Sequence, residues 1–352
     1  MFLKSLNLTN FRNYSNLSLD FDHRTTVLFG DNAAGKSNIL EAVYLLSTAK
    51  SLRVENEDEL IKDEESFTRV EGFLEEPDTE LLVLINRPTE EVSFRKKVVV
   101  NGISKRTIDF IGNLPAVIFY PSDINLVTGS PSLRRWHLDL GLAQVDSGYK
   151  KALTLYEQFL TARNRVLKRI REGFGKLDEL TYWTDELIKQ GEGVRVKRED
   201  FFNFINNLQT PLGEFKFEYK QSLISEERLK ETNGREVAAA ATLIGPHRDD
   251  YRVLLNSRDM AYYGSRGEQR TATLAFKLAQ LEYMAKIFGK RPILLLDDVF
   301  SELDALHRAH VVEIVSKQQT IVATVELENI PQSFLDSARI LRVTDGVIHQ
   351  SP

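Results

Sequence analysis

The chain has 352 residues, 42% of them hydrophobic and 28% charged, which is enough to bury a large core and to form about two domains. The lack of cysteine excludes a disulfide framework, a thiol nucleophile and a Cys-based metal site, and it suits a reducing compartment. With 46 Lys and Arg against 51 Asp and Glu the net charge is −5, so contact with nucleic acid has to come from local patches, not from global attraction.

Met1 to Leu8 carry no signal-peptide core, and no apolar run approaches the ~18 residues of a membrane span, so the expectation is a cytoplasmic protein without membrane contact. Residues 2–8 and 17–21 alternate apolar with polar around Asn10-Phe-Arg-Asn-Tyr14, which predicts a hairpin with Arg12 and Asn13 in its loop. A short run, Thr25 to Phe29, then stops at Gly30, and an amphipathic helical pattern begins near Ser37. Between them Gly30 to Ser37 reads G-x-x-x-x-G-K-S on a strand-to-helix turn, where a phosphate cradle belongs. Glycines let the backbone approach, amides surround the phosphates, Lys36 reaches the β and γ oxygens, and the Ser37 hydroxyl can ligate magnesium. A bland turn is the alternative, and the strand-before-helix context argues against it. After the helix, at 37–49, come an acidic surface segment (55–65), β-rich runs at 67–74, 80–86 and 92–100, an Asn101-Gly102 hairpin turn and a strand at 115–120.

Residues 125–240 change character. Apolar residues recur at 149, 153, 156, 160, 167 and 170, then at 180, 183, 187, 194, 201, 205 and 208, near a spacing of 3.5. Gly173 and Gly175 separate the two series, which predicts an antiparallel helical hairpin whose second helix runs to some 30 residues, or ~45 Å at about 1.5 Å per residue. It would project as an arm; packing of both stripes on the main domain is the alternative, since spacing does not orient a hairpin. A strand at 214–219 and a polar helix ending in Ala238 to Ala241 return the chain.

Pro292-Ile-Leu-Leu-Leu-Asp-Asp-Val-Phe300 reads as a buried parallel strand that delivers two carboxylates to the edge of a sheet. Asp297 is the expected partner of Ser37 in a magnesium shell, and Asp298 is placed to hold a water against the γ-phosphate. A helix cap is the alternative for both, because 304–316 is helical. Upstream, Tyr263-Gly-Ser-Arg-Gly-Glu-Gln-Arg-Thr271 feeds a helix with Leu274, Leu278, Leu281 and Met284 on one face, so Ser265 and Gly267 lie at the positive end of its dipole. Alone, this second anion site would be read as a simple cap.

Gly30 to Ser37, Ser265 to Gln269, Ile293 to Asp298 and Ser301-Glu-Leu-Asp304 together resemble an ABC-type ATPase head of the SMC kind. Asn10 to Tyr14, Gly129-Ser-Pro-x-x-Arg-Arg135 and Gly245-Pro-His-Arg-Asp-Asp250 narrow the resemblance to the RecF family of recombination and repair proteins, along essentially the whole chain. The expected fold is α/β: a discontinuous P-loop ABC-type ATPase domain with a mixed sheet, 1–124 and 241–352, and an inserted, mostly helical arm, 125–240. The resemblance implies ATP and Mg2+ as cofactors. Gly30, Asp31, Asn32, Ala33, Ala34, Gly35, Lys36 and Ser37, with Arg12 and Asn13, would bind ATP; Ser37 and Asp297 would hold the metal; Lys36, Asp297 and Asp298 would be catalytic. Ser265, Arg266, Gly267, Glu268 and Gln269 would act on the nucleotide of a second copy, with Ser301 and Asp304 in the connecting loop. The implied protein is an ATP-driven homodimer and a weak DNA-stimulated ATPase in replication and repair. It would switch on double-stranded and gapped DNA and help load a recombinase on single strands, with RecR-type and RecO-type partners.

Three departures from the general ABC pattern stand out. Asp298 replaces the usual Glu, Thr324 stands near where a switch His is usual, and Ser122 and Asp123 follow Tyr120 in place of a Gln. His247 is a candidate substitute for the switch, or a loop support.

From Arg134 to Arg171, nine Lys and Arg face three Asp and Glu. Arg134, Arg135, Arg163, Arg165, Lys168, Arg169 and Arg171 are therefore candidate phosphate contacts, and Arg195, Lys197 and Arg198 add a cluster on the partner helix. A solvated helix face is the alternative. An ABC transporter subunit would share the nucleotide motifs but not a basic helical hairpin, an SMC-like architectural ATPase needs a much longer coiled coil, and a small P-loop kinase has no use for residues 265–269.

Overall fold

The computed structural model describes residues 2–21, 25–88, 94–209, 212–303 and 305–350. They fall into two compact units, 1–123 with 273–352, and 124–272.

The first unit opens with the expected hairpin, β1 (Phe2–Phe11) and β2 (Tyr14–Asp20), turning at Arg12 and Asn13. β3 (Thr26–Phe29) leads through the glycine-rich turn into α1 (Lys36–Thr48). β4 (Phe67–Glu75), β5 (Thr79–Asn86), β6 (Lys96–Val100) and β7 (Ile103–Lys105) complete an antiparallel sheet in the order β2-β1-β4-β5-β6-β7. Asn101 and Gly102, at φ 49° and 75°, make the turn between β6 and β7 with both central residues left-handed, as a tight hairpin requires. The first residues of the run expected at 92–100 lie outside the described residues. α2 (Thr107–Phe110) and β8 (Ala116–Phe119) follow.

The second unit holds α3 (Asn125–Thr128), α4 (Pro131–Val145), α5 (Ser147–Arg171), α6 (Thr181–Asn207), β9 (Phe215–Lys220), α7 (Glu226–Ala239), β10 (Asp250–Leu255), β11 (Arg258–Asp259) and α8 (Met260–Tyr263). Gly129-Ser-Pro is a helix start: Ser130 Oγ accepts the Leu133 N–H at 3.3 Å, with Pro131 in the first turn where no donor is needed. α5 ends in a Schellman cap, with Gly173 left-handed, its N–H on the Ile170 carbonyl and the Phe174 N–H on the Arg169 carbonyl. The chain then reverses into α6 as predicted. The two apolar stripes meet each other, with Tyr149, Tyr156 and Leu167 buried on one helix and Leu187, Val194 and Phe201 on the other. α7 and β9 cover them further within the same unit. Two strands escaped the sequence reading: β10 and β11 pair with β9 in the order β11-β10-β9, so this unit runs to residue 272 and not to 240.

α9 (Arg266–Phe288) starts in the second unit and ends in the first. β12 (Ile293–Asp297), α10 (Ala305–Val315), β13 (Thr320–Thr324), α11 (Gln332–Leu335), β14 (Arg339–Thr344) and β15 (Val347–Gln350) finish the chain. The sheet they join runs β15-β14-β3-β13-β12-β8, parallel except for the edge strand β15. β12, β13 and β8 are near-continuous apolar runs, as strands covered on both faces must be. α1 touches this sheet and the antiparallel one, and from Ile39 to Thr48 every side chain is buried, so the amphipathic pattern expected from Ser37 onward is absent.

Candidate functional site

The parallel sheet brings the C-terminal ends of β3, β13, β12 and β8 to one edge, pairing Thr324 with Phe29 and Asp297 with Ala323. Ligands bind at such an edge in open α/β sheets. A cleft of about 250 Å³ opens there, lined by Asn32, Lys36, Ser37, Asn38, Arg53, Asp297, Asp298 and Thr324 among others.

The phosphate loop is shaped by its own chain. Gly30 has φ 150°, and a Cβ there would stand 2.2 Å from the Val343 carbonyl oxygen. Gly35 has φ 113°, and a Cβ would meet Asn13 Nδ2 and the Tyr14 hydroxyl at 2.6 Å. Glycine is required at both positions. The hairpin loop supports the turn from behind: Asn13 Nδ2 donates to the Ala34 carbonyl at 3.2 Å and the Tyr14 hydroxyl to the Gly35 carbonyl at 3.1 Å.

Lys36 donates to the carbonyls of Gly30 and Asp31 at 2.8 and 2.7 Å. Burial lowers its pKa, opposed by the nearby charges of Asp297, Asp298 and Asp31. Ser37 Oγ donates to Asp297 Oδ1 at 2.8 Å across 260 residues of sequence. Burial raises the Asp297 carboxyl, with Ser37 and Arg53 pulling it back. Asp298 lines the cleft with a left-handed backbone, φ 51°, a conformation that Asp tolerates better than most side chains. Ser301 Oγ donates to the Asp298 carbonyl at 2.7 Å; Asp304 lies outside the described residues.

Arg12 is elsewhere than at the cleft wall. It forms a two-pronged pair with Glu41, at 2.9 and 2.8 Å, and donates to the Glu59 carbonyl. Glu41, 1% exposed, also binds Arg53, whose Nη1 lies 3.2 Å from Glu41 Oε2 and 3.0 Å from Asn38 Oδ1. The sequence reading missed Arg53. Nothing in its local pattern marks it, because the loop after α1 brings it back over the helix start through Glu41.

Thr324, Asp123 and the candidate substitute His247 have distinct fates. Thr324 is buried at the cleft with Oγ1 donating to the Glu326 carbonyl at 3.0 Å. Asp123 accepts the Tyr120 N–H at 2.9 Å and pairs with Lys277 at 3.3 Å, so it belongs to the core, with burial raising its carboxyl against the pull of Lys277. His247 donates from Nε2 to the Thr242 carbonyl at 3.0 Å and accepts the Tyr156 hydroxyl on Nδ1 at 2.6 Å. Burial lowers its pKa to about 4. It is a neutral loop support in the second unit, not a stand-in for the switch.

The signature segment begins α9. Ser265 caps the helix, Gln269 anchors it through Nε2 to the Met260 carbonyl at 2.9 Å, and Arg266, Gly267 and Glu268 are exposed. Tyr262 and Tyr263, just upstream, are 83% and 74% exposed. A Cβ on Gly267 would meet nothing within 4 Å, and its backbone is ordinary helix.

The candidate phosphate contacts divide. Arg134 forms a two-pronged pair with Asp250, at 2.7 and 2.9 Å, and donates to the Gly129 carbonyl; Arg135 donates to the Asp249 carbonyl. Gly129–Arg135 and Gly245–Asp250, which carried the family resemblance, are thus halves of one clasp. Arg163 is 2% exposed and bound to Glu236, Thr242 and Thr184. Arg134 and Arg163 are corrected from phosphate contacts to internal ties, because the half-buried Asp250 and the fully buried Glu236 neutralise them. The cluster on α6 is spent likewise: Arg195 on Glu192 and Glu199, Lys197 on Asp146, and buried Arg198 on Asp139 and Asp249. Arg165, Lys168, Arg169 and Arg171 stay exposed at the end of α5, Lys168 beside Glu172 and Arg169 beside Glu179.

The comparisons agree with this geometry. The profile of the RecF/RecN/SMC N-terminal domain family matches residues 2–348. The DNA replication and repair protein RecF of Bacillus thuringiensis (strain Al Hakam) is 36% identical over 373 aligned residues, covering 99% of this chain and 98% of its own, and that of Bacillus cereus (strain B4264) stands at the same figures. The solved recombination mediator protein RecF-ATP superposes with a TM-score of 0.87 at 29% identity, covering 99% of each chain. An Smc head domain from Pyrococcus furiosus, at 16% identity and a TM-score of 0.54 over 99% of this chain and 96% of its own, shares the fold alone. No described helix is long and apolar enough to cross a membrane. A phosphate loop and an acidic strand on an SMC-type head, with similarity along the whole length, lead to one conclusion: the chain belongs to the RecF family of DNA replication and repair proteins.

Proposed function

We propose that the chain is an ATP-driven clamp on DNA. Two copies pair with each triphosphate held between the Lys36 loop of one and Ser265–Gln269 of the other. The pair grips double-stranded and gapped DNA, and slow hydrolysis reopens it, which aids recombinase loading on single strands.

The observation that carries the reading is the Ser37–Asp297 bond beside Lys36. It joins one hydroxyl and one carboxylate, the sparse protein set that magnesium accepts when phosphates supply other ligands. Among the described residues no group of three or more His, Cys, Asp or Glu could hold a metal alone, which suits an ion that arrives with the nucleotide. The ion would neutralise charge on the β and γ oxygens. Lys36 would exchange its two loop carbonyls for phosphate oxygens, and Asp298 would orient the attacking water. Asp298 is one methylene shorter than the usual Glu, which favours slow turnover. The RecF-ATP structure supports the nucleotide, and its place in a RecFOR pathway supports RecR-type and RecO-type partners.

One feature supports pairing. Gly267 has open space around it in its own chain, and an exposed helical glycine is less stable than alanine by about 0.5–1 kcal/mol. Closure shifts the population only as far as the paired state holds ATP more tightly. For DNA, the support is the exposed cationic group at the end of α5, in a chain of net negative charge.

Sedimentation with and without ATP and magnesium, and DNA retention across a salt series, test the reading. The chain is expected to pair and hold DNA only with ATP, and Lys36→Met to do neither. A chain that binds ATP yet stays single would refute it.

A further inference from the structure

The start of α9 already carries an anion from its own chain. Glu268 accepts the Ser265 backbone N–H at 2.8 Å, and Ser265 Oγ accepts the Glu268 N–H at 3.3 Å, the reciprocal bonds of a capping box. A third bond is additional: the Ser265 hydroxyl donates to the same Glu268 oxygen at 2.8 Å. A serine hydroxyl has one proton to give, so Ser265 does not serve Glu268 and a phosphate oxygen together. The bond to be broken is of the stronger, charge-assisted kind. Glu268 also confronts an incoming triphosphate with like charge. Its carboxyl titrates below the ordinary glutamate range because the Ser265 N–H and hydroxyl bond the charged form.

We propose that Glu268 is a positioning residue that keeps the Ser265 hydroxyl turned onto its own helix, and so sets the ATP concentration at which a second copy's triphosphate is accepted. The inference rests on the proposed function and adds a threshold to it. Release is local: the hydroxyl rotates away while the two backbone bonds of the box remain, so the helix need not unwind.

Glu268→Gln separates charge from capping, since Gln serves equally at this position of a capping box. The readout is the ATP concentration for half-maximal pairing, by sedimentation, in the native chain, Glu268→Gln, Ser265→Ala and the double variant. The expected result is a threshold about threefold to tenfold lower in Glu268→Gln, the difference between a charge-assisted and a neutral hydrogen bond. The double variant is expected to pair no better than Ser265→Ala alone. A threshold in Glu268→Gln equal to or above the native one, or an equal gain without the Ser265 hydroxyl, overturns the inference and leaves the proposed function standing. No ATP-driven pairing in the native chain would instead overturn the proposed function, and the inference with it.

Discussion

The glycines of the phosphate loop and the glycine of the signature look alike in the sequence and differ in what demands them. Gly30 and Gly35 hold backbone angles and close contacts that their own chain imposes, whereas Gly267 lies in ordinary helix with open space around it. The arginines divide the same way: Arg134 and Arg163 are consumed by Asp250 and Glu236, while Arg165 and Arg171 face solvent. A group whose cost is repaid inside the chain maintains the fold. One whose cost is not repaid there is a candidate for contact with something outside it, and among the described residues the signature start and the end of α5 both hold such groups.

Substitutions on either side of this division are expected to behave in opposite ways. The largest effect falls on Arg163→Ala, which strands Glu236, 0% exposed, without its partner and is expected to cost about 3–5 kcal/mol in urea melts. Reversing Lys168, Arg169 and Arg171 together costs only exposed ion pairs and the favourable charge at the helix end, and is expected to change stability by no more than about 1 kcal/mol per site. The same change should reduce the salt slope of ATP-dependent DNA binding by about 0.9 per lost phosphate contact. An unchanged slope would remove the end of α5 from the DNA surface.

Next in size is a pH effect on the clasp. His247 has its pKa lowered from 6.5 to about 4 by burial, with Arg248, Arg135 and Arg198 acting in the same direction and the Thr242 carbonyl against it. The unfolded chain therefore binds the extra proton first. The neutral His247 contribution is fully present above pH 6.5 and is lost as pH falls towards 4, by about 3 kcal/mol in all. Thermal melts of the native chain and His247→Gln over that range should converge towards pH 4; parallel curves would contradict the assignment.

Gly30→Ala is expected to cost about 2–3 kcal/mol, since the new Cβ meets a backbone carbonyl, and to abolish ATP binding. Gly267→Ala, the smallest effect, has the opposite sign: a gain of about 0.5–1 kcal/mol in melting, with weaker ATP-driven pairing. If Gly267→Ala left pairing intact, the contrast between the two regions would fail.

Much of the cleft was legible because its signals are local. A strand, a G-x-x-x-x-G-K-S turn and a helix adjoin in the sequence, and β12 announces itself as an apolar run ending in Asp297. The hairpin of α5 and α6 was legible from periodicity and the Gly173 reversal. What was not legible depends on distant partners. Arg134 looks like any member of a basic run until Asp250, 116 residues on, reaches it. β10 and β11 have little pattern of their own and exist through pairing with β9. Arg53 reaches the cleft through Glu41 and Asn38, and Asp123 leaves it for Lys277.

The central claim is that residues of two copies compose one nucleotide site, and mixing two inactive variants tests it most directly. Lys36→Met lacks the phosphate contact and Ser265→Arg lacks the signature serine, so neither is expected to hydrolyse ATP alone. In a mixed pair one site combines the intact Lys36 of one copy with the intact Ser265 of the other. ATPase activity regained on mixing is the predicted result; a mixture as inactive as its parts, with both variants folded, would contradict the account.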